Sequence, residues 1–120
     1  MRMMVRVFSG EYEEKYKAKL RAEFEAISSE PHLILDMRGV TYFGTAFADE
    51  LLRLHKFRVE SGVGGVSIVR NPLIVKRLFA ILYPKTLFHL IDTLEEALPR
   101  NGSPVVIQVA CRGDESLREA

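Results

Sequence analysis

His32-Leu33-Ile34-Leu35-Asp36-Met37 is the stretch that decides the fold, because three consecutive apolar residues stand in it without a polar break. A strand with one wet face alternates apolar and polar residues. An unbroken run fits a strand covered on both faces, as in the middle of a helix-flanked parallel sheet. Asp36 falls near the end of this strand. Arg38-Gly39 then opens a loop that runs through Val40-Thr41-Tyr42-Phe43-Gly44.

Working back toward the N-terminus, Tyr16, Leu20, Phe24 and Ile27 are spaced by four, four and three, one apolar stripe of a helix. Lys15, Lys17, Lys19, Arg21, Glu23 and Glu25 fill its other faces, and Pro31 closes it. Before that helix, Met3 to Phe8 is rich in β-formers and reads as a strand ended by Ser9-Gly10.

Working forward, a second helix starts near Thr45 and carries Phe47, Leu51, Leu54 or His55, and Arg58 or Val59 on one side. Ser61-Gly62-Val63-Gly64-Gly65 is a turn cluster, and Val66–Val69 a third strand. Asn71-Pro72 caps and opens a helix with Val75, Leu78, Phe79 and Leu82 as its buried stripe, stopped by Pro84. Thr86–Ile91 is a fourth strand. Asp92-Thr93-Leu94-Glu95 has the form of a capping box for a short helix ending by Pro99. Pro104–Ala110 is β-prone and too apolar for a free tail, so it should pair with a sheet edge of its own chain or of a second copy. The alternation predicts an α/β fold with a mainly parallel sheet of four to five strands and about four helices.

The 120 residues suit one domain, expected over 1–111, with 112–120 as a charged, mobile tail. Hydrophobic residues make up 48% and charged residues 28%, enough to build a core. Seventeen basic against sixteen acidic side chains, a net charge of +1, leave no electrostatic footprint for nucleic acid. The single cysteine, Cys111, forms no internal disulfide and implies a reducing compartment, so a cytoplasmic location is expected. No apolar stretch reaches the ~18 residues of a membrane span.

The order of motifs resembles the STAS family, the anti-sigma-factor-antagonist fold. Gly10-Glu11-Tyr12-Glu13 resembles the family's Gly-Glu-Leu-Asp corner. Leu33 to Phe43 is similar to its hydrophobic strand, aspartate and Gly-Val-Thr-Phe loop. Val66 to Pro72 and Leu90 to Leu98 follow in the family's order, so the likeness covers about residues 5–99. The family's usual first strand before the Gly-Glu corner is missing, and Pro104–Ala110, beyond the usual end, is a candidate to supply an edge strand instead. The family's signature Asp-Ser-Ser-Gly, with its phosphorylated serine, here reads Gly44-Thr45-Ala46-Phe47. Thr45 is therefore the one candidate phospho-acceptor that position retains.

The resemblance implies a non-catalytic, regulatory protein-binding module of signal transduction. Docking would involve the loop and the start of the second helix: Tyr42, Phe43, Thr45, Ala46, Phe47 and Asp49. Phe47 pointing into the core instead is the competing placement, and Thr45 serving as a plain helix cap is the competing role. The implied partner is an anti-sigma factor kinase-like ATPase. The alternative is a STAS-type subunit of a membrane-associated, lipid-transport ATPase-like complex that works without phosphorylation, and a homodimer is a further expectation.

Residue chemistry adds no enzyme reading. His32, His55 and His89 have no ligand spacing, so no metal or cofactor is expected. Asp36 is expected to shape its loop, and Asp49 with Glu50 to form a solvated helix face. Gly62, Gly64 and Gly65 do not fit a nucleotide-binding spacing.

Overall fold

A computed structural model describes residues 3–69, 89–98, 102, 104–110 and 113. In chain order these form β1 (Met3–Tyr12), a 3-10 turn (Glu14–Tyr16), α1 (Lys17–Ile27), β2 (His32–Phe43), α2 (Thr45–Glu60), β3 (Ser67–Val69), β4 (His89–Ile91), a second 3-10 turn (Leu94–Glu96) and β5 (Val105–Val109). The strands make one sheet in the order β4-β3-β2-β1-β5, and every neighbouring pair is parallel. The strand of residues 33–37 is thus third of five, as its apolar run predicts.

Leu33, Leu35 and Met37 face the core under α1 and α2, while Ile34 joins Val5, Val69 and Ile91 on the opposite face. Tyr16, Leu20, Phe24 and Ile27 are all buried, which fixes the first apolar stripe as read. On α2 the stripe runs through Phe47, Leu51, Leu54 and Arg58. Of the two positions left open, His55 is half-buried and Val59 is 53% exposed.

Both β1 and β2 outrun their expected ends. β1 continues past Gly10 to Tyr12, and β2 continues through the expected loop to Phe43. The two halves pair with each other: Ser9 with Gly39, Gly10 with Val40, Glu11 with Tyr42 and Tyr12 with Phe43. Two register shifts each place one extra residue on β2. Such bulges break strict alternation, which is why this half of the strand resembles a loop in sequence. Gly10 takes φ +92, and a Cβ there would collide with the backbone of Gly113. Its role is therefore a close backbone crossing rather than a strand end.

The Asp92 capping box is displaced by one residue. Thr93 is the cap, its Oγ1 accepting the Glu96 N–H at 3.4 Å, and the element is a single 3-10 turn instead of a helix. The β-prone segment after Pro104 pairs with β1 of its own chain, Met3 with Val105 through Val7 with Val109, and so provides the edge strand. The expected helix of residues 71–82, the start of the Thr86–Ile91 strand, Cys111 and the tail of 112–120 lie outside the described residues, apart from Gly113, which is buried and donates its N–H to the Ser9 carbonyl at 2.8 Å.

Candidate functional site

The candidate site lies where β1 and β2 end side by side and α2 begins. Gly44 is the N-cap residue of α2 and has no side chain to cap it. Its N–H donates to the Tyr12 carbonyl at 3.0 Å, which ties the helix start to the end of β1. The capping group comes from elsewhere in the chain. Glu14, on the first 3-10 turn, accepts the Thr45 hydroxyl at 2.9 Å and the Ala46 N–H at 3.1 and 3.2 Å. These bonds, the Ala46 N–H first and the Thr45 hydroxyl second, hold the Glu14 carboxyl below its usual range. A Cβ on residue 44 would run into that carboxylate, so glycine here and Glu14 belong to one arrangement. A free helix N-terminus attracts anions, and this one is already occupied by a carboxylate of the chain itself.

The six residues expected at the docking face divide into two sets. Tyr42, Thr45 and Asp49 are exposed on the rim, with Tyr42 beside a shallow depression formed with Glu11, Glu13, Glu14, Lys15 and Thr41. Phe43, Ala46 and Phe47 are buried beneath it. Phe47 is the centre of an aromatic cluster, its ring 5.1 Å from Tyr12, 5.2 Å from Phe43 and 6.0 Å from both Phe8 and Phe24. Helix phase explains the split: Phe47 begins the stripe continued by Leu51 and Leu54, so it points inward. Of the six residues, Tyr42, Thr45 and Asp49 thus present their side chains at the surface.

Three buried charged groups are paired within the domain. Glu50 is buried, not solvated as expected beside Asp49. Its carboxylate takes a two-pronged bond from Arg21 of α1, 3.0 Å at each prong, and that bond keeps its pKa low against the cost of burial. Asp36 is also buried. Burial alone would raise its pKa, but the side-chain bonds from Arg38 at 3.0 and 2.8 Å and the Arg38 N–H at 3.2 Å outweigh that and lower it. Asp36 therefore shapes the bulged half of β2, as expected. Arg58, 1% exposed, donates to the carbonyls of Gly65, Ser28 and Glu30 at 3.2, 3.0 and 2.6 Å. It joins the end of α2 to two loops.

Two of the three histidines, His55 and His89, make hydrogen bonds within the fold. His55 Nδ1 accepts the Val66 N–H at 3.3 Å, and its ring sits where a Cβ on Gly65 would be. Burial, with Arg58 nearby, pushes its pKa down and keeps the ring a neutral acceptor. His89 bonds Ser67 at 3.1 Å. Among the described residues no three His, Cys, Asp or Glu side chains are grouped to hold a metal, and no helix is long and apolar enough to cross a membrane.

Sequence reasoning passed over Glu14, and it expected Glu50 on a solvated helix face where the structure buries it. Glu14 follows directly on the quoted Gly-Glu corner, yet its partners are 31 and 32 residues away and leave no local pattern. The bare glycine at the helix start was the available signal, since a helix without its own cap residue must find one elsewhere.

No protein-family profile matches the chain, and no curated protein matches it in sequence. A solved structure does match in shape: the anti-sigma factor antagonist SpoIIAA in its unphosphorylated form. It is 16% identical, with a TM-score of 0.57 over 80% of this chain and 86% of that one. With its five-stranded parallel sheet and the helices packed on it, the chain therefore has the STAS-like α/β fold of an anti-sigma factor antagonist.

Proposed function

We infer that the protein is a non-catalytic regulatory module that binds another protein through the rim at the start of α2. The observation that carries this reading is the construction of the rim. Tyr42, Thr45 and Asp49 stand exposed on a base of buried aromatic rings, with the helix N-terminus fixed by Glu14. A rigid base with polar and aromatic groups above it suits recognition, because little conformational freedom is lost on binding. The similarity in fold to an anti-sigma factor antagonist supports a protein partner, and by that analogy an anti-sigma factor kinase-like ATPase.

The Glu14 cap also supports a second reading. Phosphothreonine at position 45 would set about −1.5 to −2 charge against a carboxylate that its hydroxyl now bonds. An arrangement already holding its anion favours a role without phosphorylation, as a subunit of a transporter ATPase-like complex. Co-purification from native cells separates the two, by recovering a histidine-kinase-like ATPase or a transporter ATPase. Titration against the recovered partner then tests the rim. Thr45→Glu should weaken binding about a hundredfold, equivalent to ~2.8 kcal/mol, while Thr45→Ala binds as the parent does. Equal affinity of Thr45→Glu and parent would move the interface elsewhere. A homodimer is a separate matter of the β5 sheet edge.

A further inference from the structure

Strand β5 ends the sheet, and its outer side lacks the usual defences of an edge. Met3 N–H donates to the Pro104 carbonyl at 2.9 Å and Ala110 N–H to the Val7 carbonyl at 2.8 Å. In the unshifted parallel register Met3–Val105 to Val7–Val109, the even-numbered residues of this segment therefore turn their backbone groups toward β1. Backbone groups alternate sides along a strand. Val105, Ile107 and Val109 consequently direct their N–H and C=O groups to the open edge, where no described residue pairs with them. The same three side chains are 36%, 60% and 73% exposed. Natural edges carry lysine, an internal proline or a bulge against chance pairing. Residues 105–109, Val-Val-Ile-Gln-Val, contain no charge and no proline.

We propose that β5 pairs antiparallel with β5 of a second copy of this chain, across a two-fold axis at Ile107. In this register Ile107 lies opposite its own symmetry mate, and Val105 opposite Val109 of the other copy. These are the hydrogen-bonded kind of antiparallel pair, each exchanging two bonds. Six bonds then satisfy all twelve outward groups of the two strands, six from each. A shift of one residue would set outward groups against inward ones, and a shift of two would leave an end pair unmade. On one face the exposed valines and isoleucines form a continuous apolar strip, extended by the partly buried Met3 and Val7. On the other face Val106 meets Gln108, so no like charges oppose each other. A surface that complements itself about one axis is what a two-fold dimer requires. An edge of five residues falls short of the ~1,600 Å² of a standard interface, so the dimer is weak and its population depends on protein concentration.

Sedimentation equilibrium of the full chain, from about 1 to 500 μM, should show the mass rising from monomer to dimer. Ile107→Lys places two cations together on the axis and should remain monomeric throughout, with the parent's circular dichroism and melting curve. Single cysteines in a Cys111→Ser background test the register. At Ile107→Cys the two Cα atoms are about 5.5 Å apart, within disulfide range. At Val105→Cys they are about 14 Å apart. Oxidation should therefore crosslink the first and not the second. A parent that stays monomeric over the whole range overturns the proposal, including the case where this edge takes a strand from another protein. Equal crosslinking at both positions overturns the register. The β5 edge shares no residue with the α2 rim, so failure here leaves the docking proposal standing.

Discussion

Phe47→Ala separates a core residue from a docking residue at the start of α2. The ring is fully buried and lies within 6.0 Å of four other aromatic rings. Removing a buried phenylalanine costs about 3–5 kcal/mol, the lost transfer free energy plus the cavity left behind. The neighbours here are Phe8, Tyr12, Phe24 and Phe43, stiff rings from three different elements, and they close poorly over a void. We therefore expect the middle of that range or above, about 4 kcal/mol. A domain of 120 residues has a total stability of roughly 6–18 kcal/mol. Its unfolding entropy is about 0.25 kcal/mol/K, so the melting temperature should fall by about 16 °C. Urea denaturation gives the free energy directly, with an unchanged m value marking an intact two-state transition. Phe57→Ala is the control: that ring is 50% exposed, and its loss should stay within about 0.5 kcal/mol. A Phe47→Ala cost under about 1 kcal/mol, together with weakened partner binding, would refute the placement and return the ring to the interface.

Arg58→Met leaves three loop carbonyls without their donor and should cost about 3 kcal/mol in urea titration. Arg58→Lys, which keeps the charge but not the planar fork, should recover only part of that. Glu50 and Asp36 both have folded pKa values below their ordinary ones. Their stabilisation is full above the ordinary carboxylate range and is lost as pH falls through the lower folded values. Glu50→Gln should therefore lower the melting temperature more at pH 7 than at pH 3, and an equal drop at both would assign the loss to packing alone. Gly44→Asp places a carboxylate at the start of α2 and sets it against Glu14. The single variant should melt below the parent, and Gly44→Asp/Glu14→Ala should melt above the sum of the two single changes, a coupling that additivity at distant sites would not produce.

Local pattern was sufficient for the parts of this protein that local pattern controls. The unbroken Leu33–Leu35 run, short and closely followed by Arg38-Gly39, identifies a central strand, since a strand covered on both faces is apolar without alternation. The four-residue spacing of Tyr16, Leu20 and Phe24 identifies the buried face of α1, because helix geometry repeats at that period. The apolar character of Val105–Val109 required a strand partner. It did not determine which edge would provide one, and β1 was chosen only when the sheet assembled. The bulged half of β2 read as a loop because extra residues remove the alternation that marks a strand, while its pairing with β1 is a property of two segments together. The candidate site shows the same division most sharply. Thr45 at a helix start is visible in the chain. Phe47 is assigned to the core by the direction from which α2 meets the sheet. Glu14 becomes the cap because a turn some 31 residues earlier in the chain ends beside it. A carboxylate bonds whichever donors the fold brings within hydrogen-bonding distance, and no spacing along the chain records that proximity.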